Sequence, residues 1–287
     1  MKVSGFSFIR NAIKYDYPIV ESITSILPIC DEFVIAVGNS DDGTLKLIQS
    51  IKSPKIRVIE TIWDETLREG GHILAQQTNL ALEQITGDWA FYIQGDEVVH
   101  ENDLTAIKTS MEMYIQNPQV EGLLFNYVHF YGSYSYIGEG RRWYRREVRV
   151  IRPNVGIVSW GDAQGFRKGT EKLKVKSIDA SIYHYGWVKP PKKQQDKQKS
   201  FNKLWHSDEW VKEKIGDIDD YDYSNCGRLV PFSGSHPAIM QSRVGKQNWT
   251  FNYDPSKVKD PFKLRVLDWI ERKTGIRIAE YKNYKLV

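Results

Sequence analysis

Residues 89–97 read WAFYIQGDE, an apolar run of strand length that ends on two adjacent carboxylates. The five apolar side chains from Trp89 to Ile93 predict a strand that is covered on both faces of a sheet. Asp96 and Glu97 follow at the end of this strand, where their negative charges repel each other. Two interpretations are open: a solvated turn, or a site for a hard divalent cation, which takes oxygen ligands. In the second, Asp96 faces the cation and Glu97 turns away to begin the next helix.

Strands and helices alternate around this segment through the first half of the chain. Apolar runs predict strands at 3–9, 32–38, 55–63 and 120–130. Helical periodicity and turn residues predict helices after Pro18, after Gly43, over 72–85 and over 101–116. This alternation predicts βαβ units, and therefore an α/β fold whose parallel sheet is covered by helices on both faces.

The second half of the chain has a different character. Residues 131–147 predict a long loop, and residues 147–153 and 173–186 predict strands. The basic stretch from Pro190 to Trp210 predicts a helix that begins after Pro191.

The C-terminal region begins with a stretch rich in turn formers, residues 216–261, which predicts surface loops. The segment 262–270 then predicts an amphipathic helix with apolar residues at Leu264, Val266, Leu267, Trp269 and Ile270. Packing of this helix onto the domain is one interpretation. A peripheral contact with an anionic membrane surface is the alternative.

Composition restricts the function classes only mildly. The 287 residues carry a formal net charge of +4, which suits a partner with phosphates, and no nucleic-acid-binding motif accompanies the charge. The two cysteines, Cys30 and Cys226, do not predict a disulfide framework or a zinc site. We find no signal-peptide pattern and no apolar run of membrane-spanning length, so we expect a cytoplasmic, reducing location.

Polar clusters follow three of the predicted strands. They are Arg10-Asn11, residues 39–42 with the sequence NSDD, and residues 94–97 with the sequence QGDE. Because ligands of open α/β sheets bind outside the carboxyl ends of the strands, we expect the three clusters to form one pocket.

The segment from residue 3 to about residue 130 resembles the nucleotide-binding half of family 2 glycosyltransferases, inverting enzymes of the GT-A fold. Three stretches carry the likeness in matching order and spacing: FIRNA (8–12), NSDDGT (39–44) and AQQTNLALEQITGDWAFYIQGDE (75–97). The resemblance implies a Rossmann-like, mixed and mostly parallel sheet flanked by helices, with C-terminal additions on the acceptor side. Residues 1–130 would form the nucleotide-sugar-binding half and residues 131–287 the acceptor-side half of one continuous domain.

The resemblance also implies roles for individual residues. Asp96 matches the metal-binding Asp of the family's Asp-x-Asp motif, and His184 would complete the shell around Mg²⁺ or Mn²⁺. A packed core histidine is the alternative for His184. The residues implied in binding the nucleotide-sugar donor are Arg10, Asn11, Asn39, Ser40, Asp42, Asn79, Gln94 and Gly95.

Three positions depart from the family pattern. Gln94 replaces the first Asp of Asp-x-Asp; its amide can still bind a ribose hydroxyl, but it adds no charge to hold a cation. Gly38 stands where the family has an Asp that reads the base or ribose, and Thr78 stands where it has an Arg beside the Asn.

Inverting transfer needs a base that takes the proton of the acceptor hydroxyl. Asp162 in SWGDAQGFR (159–167) is the candidate, and capping of a turn is its alternative role. Gln164 could contact acceptor hydroxyls.

Basic residues of the second half are candidates for phosphate contacts. In the dense cluster RRWYRREVRVIR (141–152), Arg142 and Arg145 are candidate clamps for the donor diphosphate or a phosphorylated acceptor, and a loop with an exposed strand face explains most of the six arginines. The basic run 189–200 predicts a solvated helix face or a segment that closes over the donor, with Lys193 or Lys197 near phosphate.

We therefore expect an inverting glycosyltransferase that moves a sugar from a nucleotide-diphosphate sugar to a hydroxyl of a glycan or lipid-linked acceptor, in cell-surface polysaccharide or lipopolysaccharide assembly. A catalytically silent nucleotide- or sugar-binding module is one alternative. A sugar-phosphate nucleotidyltransferase is another, and the absence of glycine from FIRNAIKYDYP (8–18) argues against it.

Overall fold

The computed structural model of the chain describes residues 1–67, 69–216, 218–224, 226–258 and 260–287, without the side chains of Glu65 and Glu69. Asp217, Asn225 and Lys259, which belong to the predicted surface loops, lie outside the described residues.

A central sheet organises the fold, and its first four strands are parallel in the order β3-β2-β1-β4. They are β1 (Val3–Ile9), β2 (Glu32–Gly38), β3 (Ile56–Thr61) and β4 (Trp89–Tyr92). Their nearly continuous apolar sequences are explained by burial, since β1, β2 and β4 have helices or loops on both faces.

Strands from the second half extend the same sheet. The remaining strands are β5 (Glu97–Val99), β6 (Gly122–Tyr131), β7 (Tyr136–Gly138), β8 (Arg146–Ile151), β9 (Ile157–Trp160), β10 (Gly165–Lys168), β11 (Glu171–Lys172), β12 (Lys174–Trp187), β13 (Leu229–Pro231) and β14 (Lys285–Leu286). Strand β8 is antiparallel between β4 and β6, and the long strand β12 runs parallel to β6. Strands β9, β10 and β11 form a small separate sheet.

Helices cover both faces of the central sheet. They are α1 (Ile19–Ile26), α2 (Thr44–Gln49), α3 (His72–Leu82), α4 (Leu104–Tyr114), α5 (Pro191–Asn202), α6 (Asp208–Lys214), α7 (Gln241–Gly245) and α8 (Phe262–Thr274). Short 3-10 turns lie at Leu27–Ile29, Glu65–Leu67, Glu69–Gly71, Glu101–Asp103, Ala238–Met240 and Pro255–Lys257. One apolar core lies between the sheet and the α1 and α4 side, and a second lies between the sheet and the face covered by α3 and β10.

The predicted α/β fold with a mixed, mostly parallel sheet is confirmed, and three local predictions are corrected. The basic stretch from Pro190 to Trp210 is not one helix, because the chain leaves α5 after Asn202 and Ser207 then caps α6 through the backbone N–H of Trp210. The predicted loop 131–147 contains the strand β7. The predicted loops of 216–261 contain β13 and α7.

The second carboxylate of the opening segment does not begin a helix. Glu97 starts β5 and is fully buried, and its Oε1 and Oε2 accept hydrogen bonds from Arg149 at 2.8 and 2.9 Å. The hydroxyl of Tyr127 donates a third bond to Oε1 at 2.6 Å. A buried carboxylate persists only when it is paired in this way. Glu97 therefore ties β5 to β8 and β6, directly beneath the strand end that carries Asp96.

No helix among the described residues is both long and apolar enough to cross a membrane. Cys30 and Cys226 are buried free thiols.

Candidate functional site

A cleft of about 590 Å³ opens at the carboxyl ends of β1, β3, β4 and β12 and is bordered on its far side by α5. Several residues that the sequence singled out line it together: Arg10, Asn11, Gln94, Gly95, Asp96, Asp162, Gln164, His184 and Lys197. The expectation that strand ends would form one pocket therefore holds for the first and third of the three predicted clusters. From the second cluster, only Asp41 reaches the lining.

The other residues predicted at these strand ends support the walls of the cleft. Ser40 Oγ accepts a hydrogen bond from the backbone N–H of Asn11 at 3.0 Å. Asp42 accepts from the backbone N–H groups of Lys14 and Thr44 at 2.6 and 3.0 Å. Asn39, Ser40 and Asp42 are not among the residues that line the cleft. Their contacts fix the loops after β1 and β2 instead.

One end of the cleft is aromatic. Trp63, just beyond β3, lines it beside Phe8, with the ring centroids 6.1 Å apart, and the Arg10 guanidinium lies 5.4 Å from the indole centroid. The indole packs against Gly38, where a Cβ would lie 2.3 Å from the indole nitrogen. Position 38, where the family has an Asp, therefore has no room for a side chain, because Trp63 fills the space beside it.

The part of the cleft that follows β4 centres on Asp96. Its Oδ2 accepts a hydrogen bond from the Lys197 ammonium at 3.0 Å, and its Oδ1 lies 3.9 Å from His184 Nε2. Burial alone would raise the pKa of Asp96, but the positive charge of the neighbouring Lys197 ammonium holds that pKa well below its usual value. Asp96 is therefore a carboxylate anion throughout the physiological pH range.

A second histidine determines which nitrogen of His184 faces the cleft. His129 Nε2 lies 2.8 Å from the Tyr144 carbonyl, which can only accept, so this nitrogen carries the proton. Burial, followed by the neighbouring His184, lowers the pKa of His129 to about 3, so the ring is neutral and its Nδ1 is an acceptor. His184 Nδ1, at 3.1 Å, must then donate to His129. The remaining nitrogen of His184, Nε2, presents its lone pair to the space beside Asp96.

That space is kept open by a glycine. A Cβ on Gly186 would lie 2.6 Å from both Asp96 Oδ2 and His184 Nε2, so any larger residue would fill it. Two acceptor atoms that face each other across a small void, with one ring oriented from behind by a hydrogen bond, fit a divalent cation. Among the described residues no group of three or more His, Cys, Asp or Glu side chains could hold a metal. The remaining ligands would therefore have to come from a bound phosphate and water, as is usual for Mg²⁺.

Asp162 faces the cleft from the turn between β9 and β10. This turn is unusual because Ala163, a non-glycine residue, has a φ of 64° and follows Gly161 at 63°. Gln94 Nε2 donates to the Ala163 carbonyl at 3.2 Å. A carboxylate at position 94 could not make this bond, so the departure from Asp-x-Asp has a structural reason: Gln94 anchors the turn that carries Asp162.

Asn79 anchors the same hairpin from the opposite side. Its side chain accepts from the backbone N–H of Ser159 at 2.7 Å and donates to the Ser159 carbonyl at 3.2 Å. Asn79 is not among the residues that line the cleft; it connects α3 to β9.

The structure does not bring Arg142 and Arg145 to the cleft. Arg142 Nε binds Asp260 at 2.7 Å, and Arg145 makes a bidentate pair with Glu280 at 3.1 and 3.0 Å. The acidic partners lie more than 100 residues further along the chain, so the arginine-rich sequence alone could not reveal them.

Two functional candidates were missed by sequence reasoning. Trp63 ends the third strand as an isolated aromatic residue, a weak signal. Gly186 follows His184 by two residues in YHYGW, and a glycine so close to a candidate ligand is the signal that could have identified it.

Comparisons with known proteins give structural matches only; no family model and no curated protein matches the chain. Similar solved structures include S. aureus TarS, at 15% identity over 70% of this chain and 39% of that chain, with a TM-score of 0.45. TarS residues 1–349 in complex with UDP-GlcNAc match at 13% identity over 75% of this chain and 70% of that one, with a TM-score of 0.44. The mannosyltransferase PcManGT from Pyrobaculum calidifontis, in complex with GDP-Man and Mn²⁺, matches at 20% identity over 42% and 34% of the two chains, with a TM-score of 0.31.

The chain thus spans about two fifths of the length of the full TarS chain that it matches. Two of these solved structures hold a nucleotide sugar, UDP-GlcNAc in TarS 1–349 and GDP-Man in the mannosyltransferase. With every one of these TM-scores below 0.5, the donor, the acceptor and the stereochemistry have to be argued from the residues of the cleft itself.

Proposed function

We propose that this chain is an inverting glycosyltransferase that moves a sugar from a nucleotide-diphosphate sugar to an acceptor hydroxyl. The observation that carries the proposal is the set of groups that one cleft brings together. Trp63 follows the edge strand β3, the Asp96–Lys197 pair lies after β4 with two strands between them, and the carboxylate of Asp162 faces the same cleft. A nucleoside diphosphate presents an aromatic base for such an indole and a charged diphosphate for such a cluster.

In the proposed complex the nucleobase stacks on Trp63, while Arg10 and Asn11 contact the ribose or the first phosphate. Stacking of a base on an aromatic side chain typically contributes about 1–3 kcal/mol. Gln94 and Gly95 line the path towards the diphosphate. Which base is bound is left open by these contacts, because a stacking surface accepts any base.

Asp96 and His184 are the proposed protein ligands of a Mg²⁺ or Mn²⁺ ion. When bound, such an ion neutralises the charge that develops on the leaving diphosphate. Lys197 would assist from the other side: its side chain is largely buried and its ammonium is paired with Asp96. Once the carboxylate is engaged by the ion, this ammonium is free to turn to a phosphate oxygen.

Asp162 is the proposed general base. Its carboxylate takes the proton of the acceptor hydroxyl while the hydroxyl oxygen bonds to the anomeric carbon. The bond from that carbon to the diphosphate oxygen breaks, and the electron pair leaves with the nucleotide. Attack from the face opposite the leaving group inverts the anomeric configuration. Gln164, two residues further on, is placed to contact other hydroxyls of the acceptor.

We further propose that residues 1–130 form the donor half and residues 131–287 the acceptor half of one continuous domain. Support comes from the sheet, in which β8 from the second half lies between β4 and β6. The acceptor we favour is a glycan or lipid-linked hydroxyl used in cell-surface polysaccharide or lipopolysaccharide assembly, in a cytoplasmic setting.

A catalytically silent nucleotide-binding module is the second candidate. It is favoured by one observation: Gln94 supplies no negative charge, and Lys197 already neutralises Asp96.

Thermal unfolding with a panel of UDP- and GDP-sugars, with and without Mn²⁺, tests the proposal. A donor at 100 times its Kd stabilises the fold by about 2.7 kcal/mol, or roughly 5 °C for a chain of this size. We expect such a shift to need Mn²⁺ in the wild type and to be lost in Asp96→Asn. Asp179→Asn, an exposed carboxylate on the same strand as His184, is the matched control and should keep the shift. No shift with any nucleotide would rule out both candidates.

A further inference from the structure

The C-terminal helix α8 presents an apolar face to solvent. Phe262, Val266 and Trp269 are spaced by four and three residues and so lie on one side of the helix; we refer to them as the outer stripe. Phe262 is 78% exposed and Trp269 is 57% exposed. Single exposed apolar residues are ordinary, but three aligned on one helix face mark a contact surface.

Three of the five apolar residues predicted for this helix face the protein. Leu264, Leu267 and Ile270 are partly buried, so the helix is seated on the domain by its inner side. The sequence prediction of an amphipathic helix is therefore confirmed, but the outer stripe is a second apolar face that the domain does not cover. Ile276 and Ile278, which follow the helix, are also exposed to solvent.

The charges of α8 are segregated between the two sides. Lys263, Arg265, Arg272 and Lys273 are all exposed, and at 100° per residue Lys273 falls within the outer stripe while Arg265 and Arg272 flank it. The two acidic residues lie on the inner side: Asp268 pairs with Arg272 at 3.2 Å, and Glu271 pairs with Arg141, also at 3.2 Å. The outer side therefore combines apolar and positively charged side chains with no carboxylate.

The helix is fixed relative to the donor cleft. Arg141 and Arg145 hold Glu271, and Arg277 donates to the carbonyls of Gly140 and Trp143. The loop 139–145 that provides these contacts also contains Tyr144, which lines the cleft. Of the two arginines that the sequence suggested for phosphate, Arg145 thus helps to hold α8 to the loop beside the site, whereas Arg142 pairs with Asp260 before the helix.

We propose that the outer stripe and its basic flank dock on the surface of an anionic lipid bilayer, with α8 parallel to the membrane plane. Aromatic and aliphatic side chains would enter the boundary between headgroups and acyl chains, while Lys263, Arg265 and Lys273 meet anionic headgroups. A second copy of the chain is a poorer occupant, because a symmetric contact through this face would bring the basic residues of two protomers together. The inference rests on the geometry of α8 and extends the proposed function by placing the cleft beside lipid-linked acceptors.

Co-sedimentation with vesicles tests this docking directly. We expect the full chain to bind vesicles of phosphatidylcholine with phosphatidylglycerol at 0.1 M salt, and to bind pure phosphatidylcholine much more weakly. Phe262→Ser with Trp269→Ser should reduce the partition coefficient by roughly tenfold or more. Lys263→Gln with Lys273→Gln should reduce it by roughly fivefold per residue.

The control variant is Met113→Ser with Lys108→Gln on α4. Met113 is 66% exposed, and Lys108 is exposed on the same helix, so the change in composition is matched without touching the outer stripe. This variant should bind anionic vesicles as the wild type does. All variants should retain the nucleotide-induced thermal shift, since none of the altered residues lines the cleft.

Equal binding of the stripe variant and the wild type, or no preference of the wild type for anionic vesicles, would overturn the docking proposal. So would a dimer in light scattering that the stripe variant converts to a monomer, because the stripe would then be covered by a second copy. If the wild type binds anionic vesicles but shows no thermal shift with any nucleotide sugar, the result counts against the proposed function alone.

Discussion

Replacement of Gly186 by alanine should weaken metal binding by about 10- to 100-fold without unfolding the protein. The added Cβ would lie 2.6 Å from Asp96 Oδ2 and 2.6 Å from His184 Nε2, about 0.7 Å closer than carbon and oxygen atoms normally approach. Gly186 lies in β12 and has no positive φ, so alanine is allowed by the backbone and the effect is purely one of space.

The expected loss of metal affinity follows from the narrow range of ligand distances that a metal site accepts. Ligand distances must be kept within about 0.2 Å, and the methyl group pushes at least one of the two ligands by more than that. Disturbing the support of a metal ligand typically costs 10–100-fold in affinity, or about 1.4–2.7 kcal/mol. Overpacking of a filled site costs a further 1–3 kcal/mol of folding free energy, by rough precedent.

Titration of Mn²⁺ in the presence of UDP, followed by calorimetry or by the EPR signal of free Mn²⁺, measures the affinity. Gly245→Ala is the matched control, because a Cβ there would meet no atom within 4 Å and its φ is not positive. Unchanged Mn²⁺ affinity in a folded Gly186→Ala protein would refute the assignment of the space between Asp96 and His184 to a cation.

Three further predictions concern the rest of the cleft and its supports. Trp63→Ala should raise the Kd for UDP roughly 5- to 150-fold in calorimetry, the loss of one base stack of about 1–3 kcal/mol; an unchanged Kd would remove the base from this wall. Asn79→Ala breaks both hydrogen bonds to Ser159 and should lower the free energy of unfolding by about 1–3 kcal/mol in urea, while slowing turnover more than it weakens nucleotide binding. Burial raises the pKa of Glu147 to about 7 from 4.5, so the folded state holds a proton that the unfolded state releases, and stability falls as pH rises from 4.5 through 7. Glu147→Gln should remove this loss, so the free energy of unfolding of the variant should gain roughly 3 kcal/mol on that of the wild type between pH 4.5 and pH 8. If the two proteins lose stability in parallel over this pH range, the raised pKa of Glu147 is contradicted.

The sheet was predictable from the sequence because its signal is local. The apolar runs at 3–9, 32–38 and 89–93 are the right length for strands, and strict alternation with helices leaves few topologies. The position of Asp96 followed from the strand that precedes it, since a carboxyl end of a central parallel strand is where such folds bind ligands.

Long-range partners were not predictable in the same way. Glu97 and Arg149 are 52 residues apart, and nothing local distinguishes a buried ion pair from two surface charges. The same applies to Arg145, whose partner Glu280 is 135 residues away. Gln94 appeared to be a missing ligand in the motif, and only the contact with Ala163 explains it as an anchor.

The sequence also did not reveal which apolar residues of the amphipathic helix face the domain and which face solvent. The pattern of 262–270 predicts an apolar stripe, but periodicity does not say that Leu264 and Leu267 face the domain while Trp269 faces solvent. That division depends on Glu271, which Arg141 and Arg145 of the loop 139–145 hold to the protein.

The most direct test of the central claim is the fate of a donor identified by the thermal-shift panel. Proton NMR of that nucleotide-sugar with Mn²⁺ should show slow release of free sugar, with the inverted anomer appearing first. Release should stop in Asp96→Asn and persist in Asp179→Asn. Retention of the anomeric configuration would contradict the inverting mechanism. A donor that binds but is never cleaved, with or without acceptor glycans, would show that the cleft only binds nucleotide sugars and that the protein is not a glycosyltransferase.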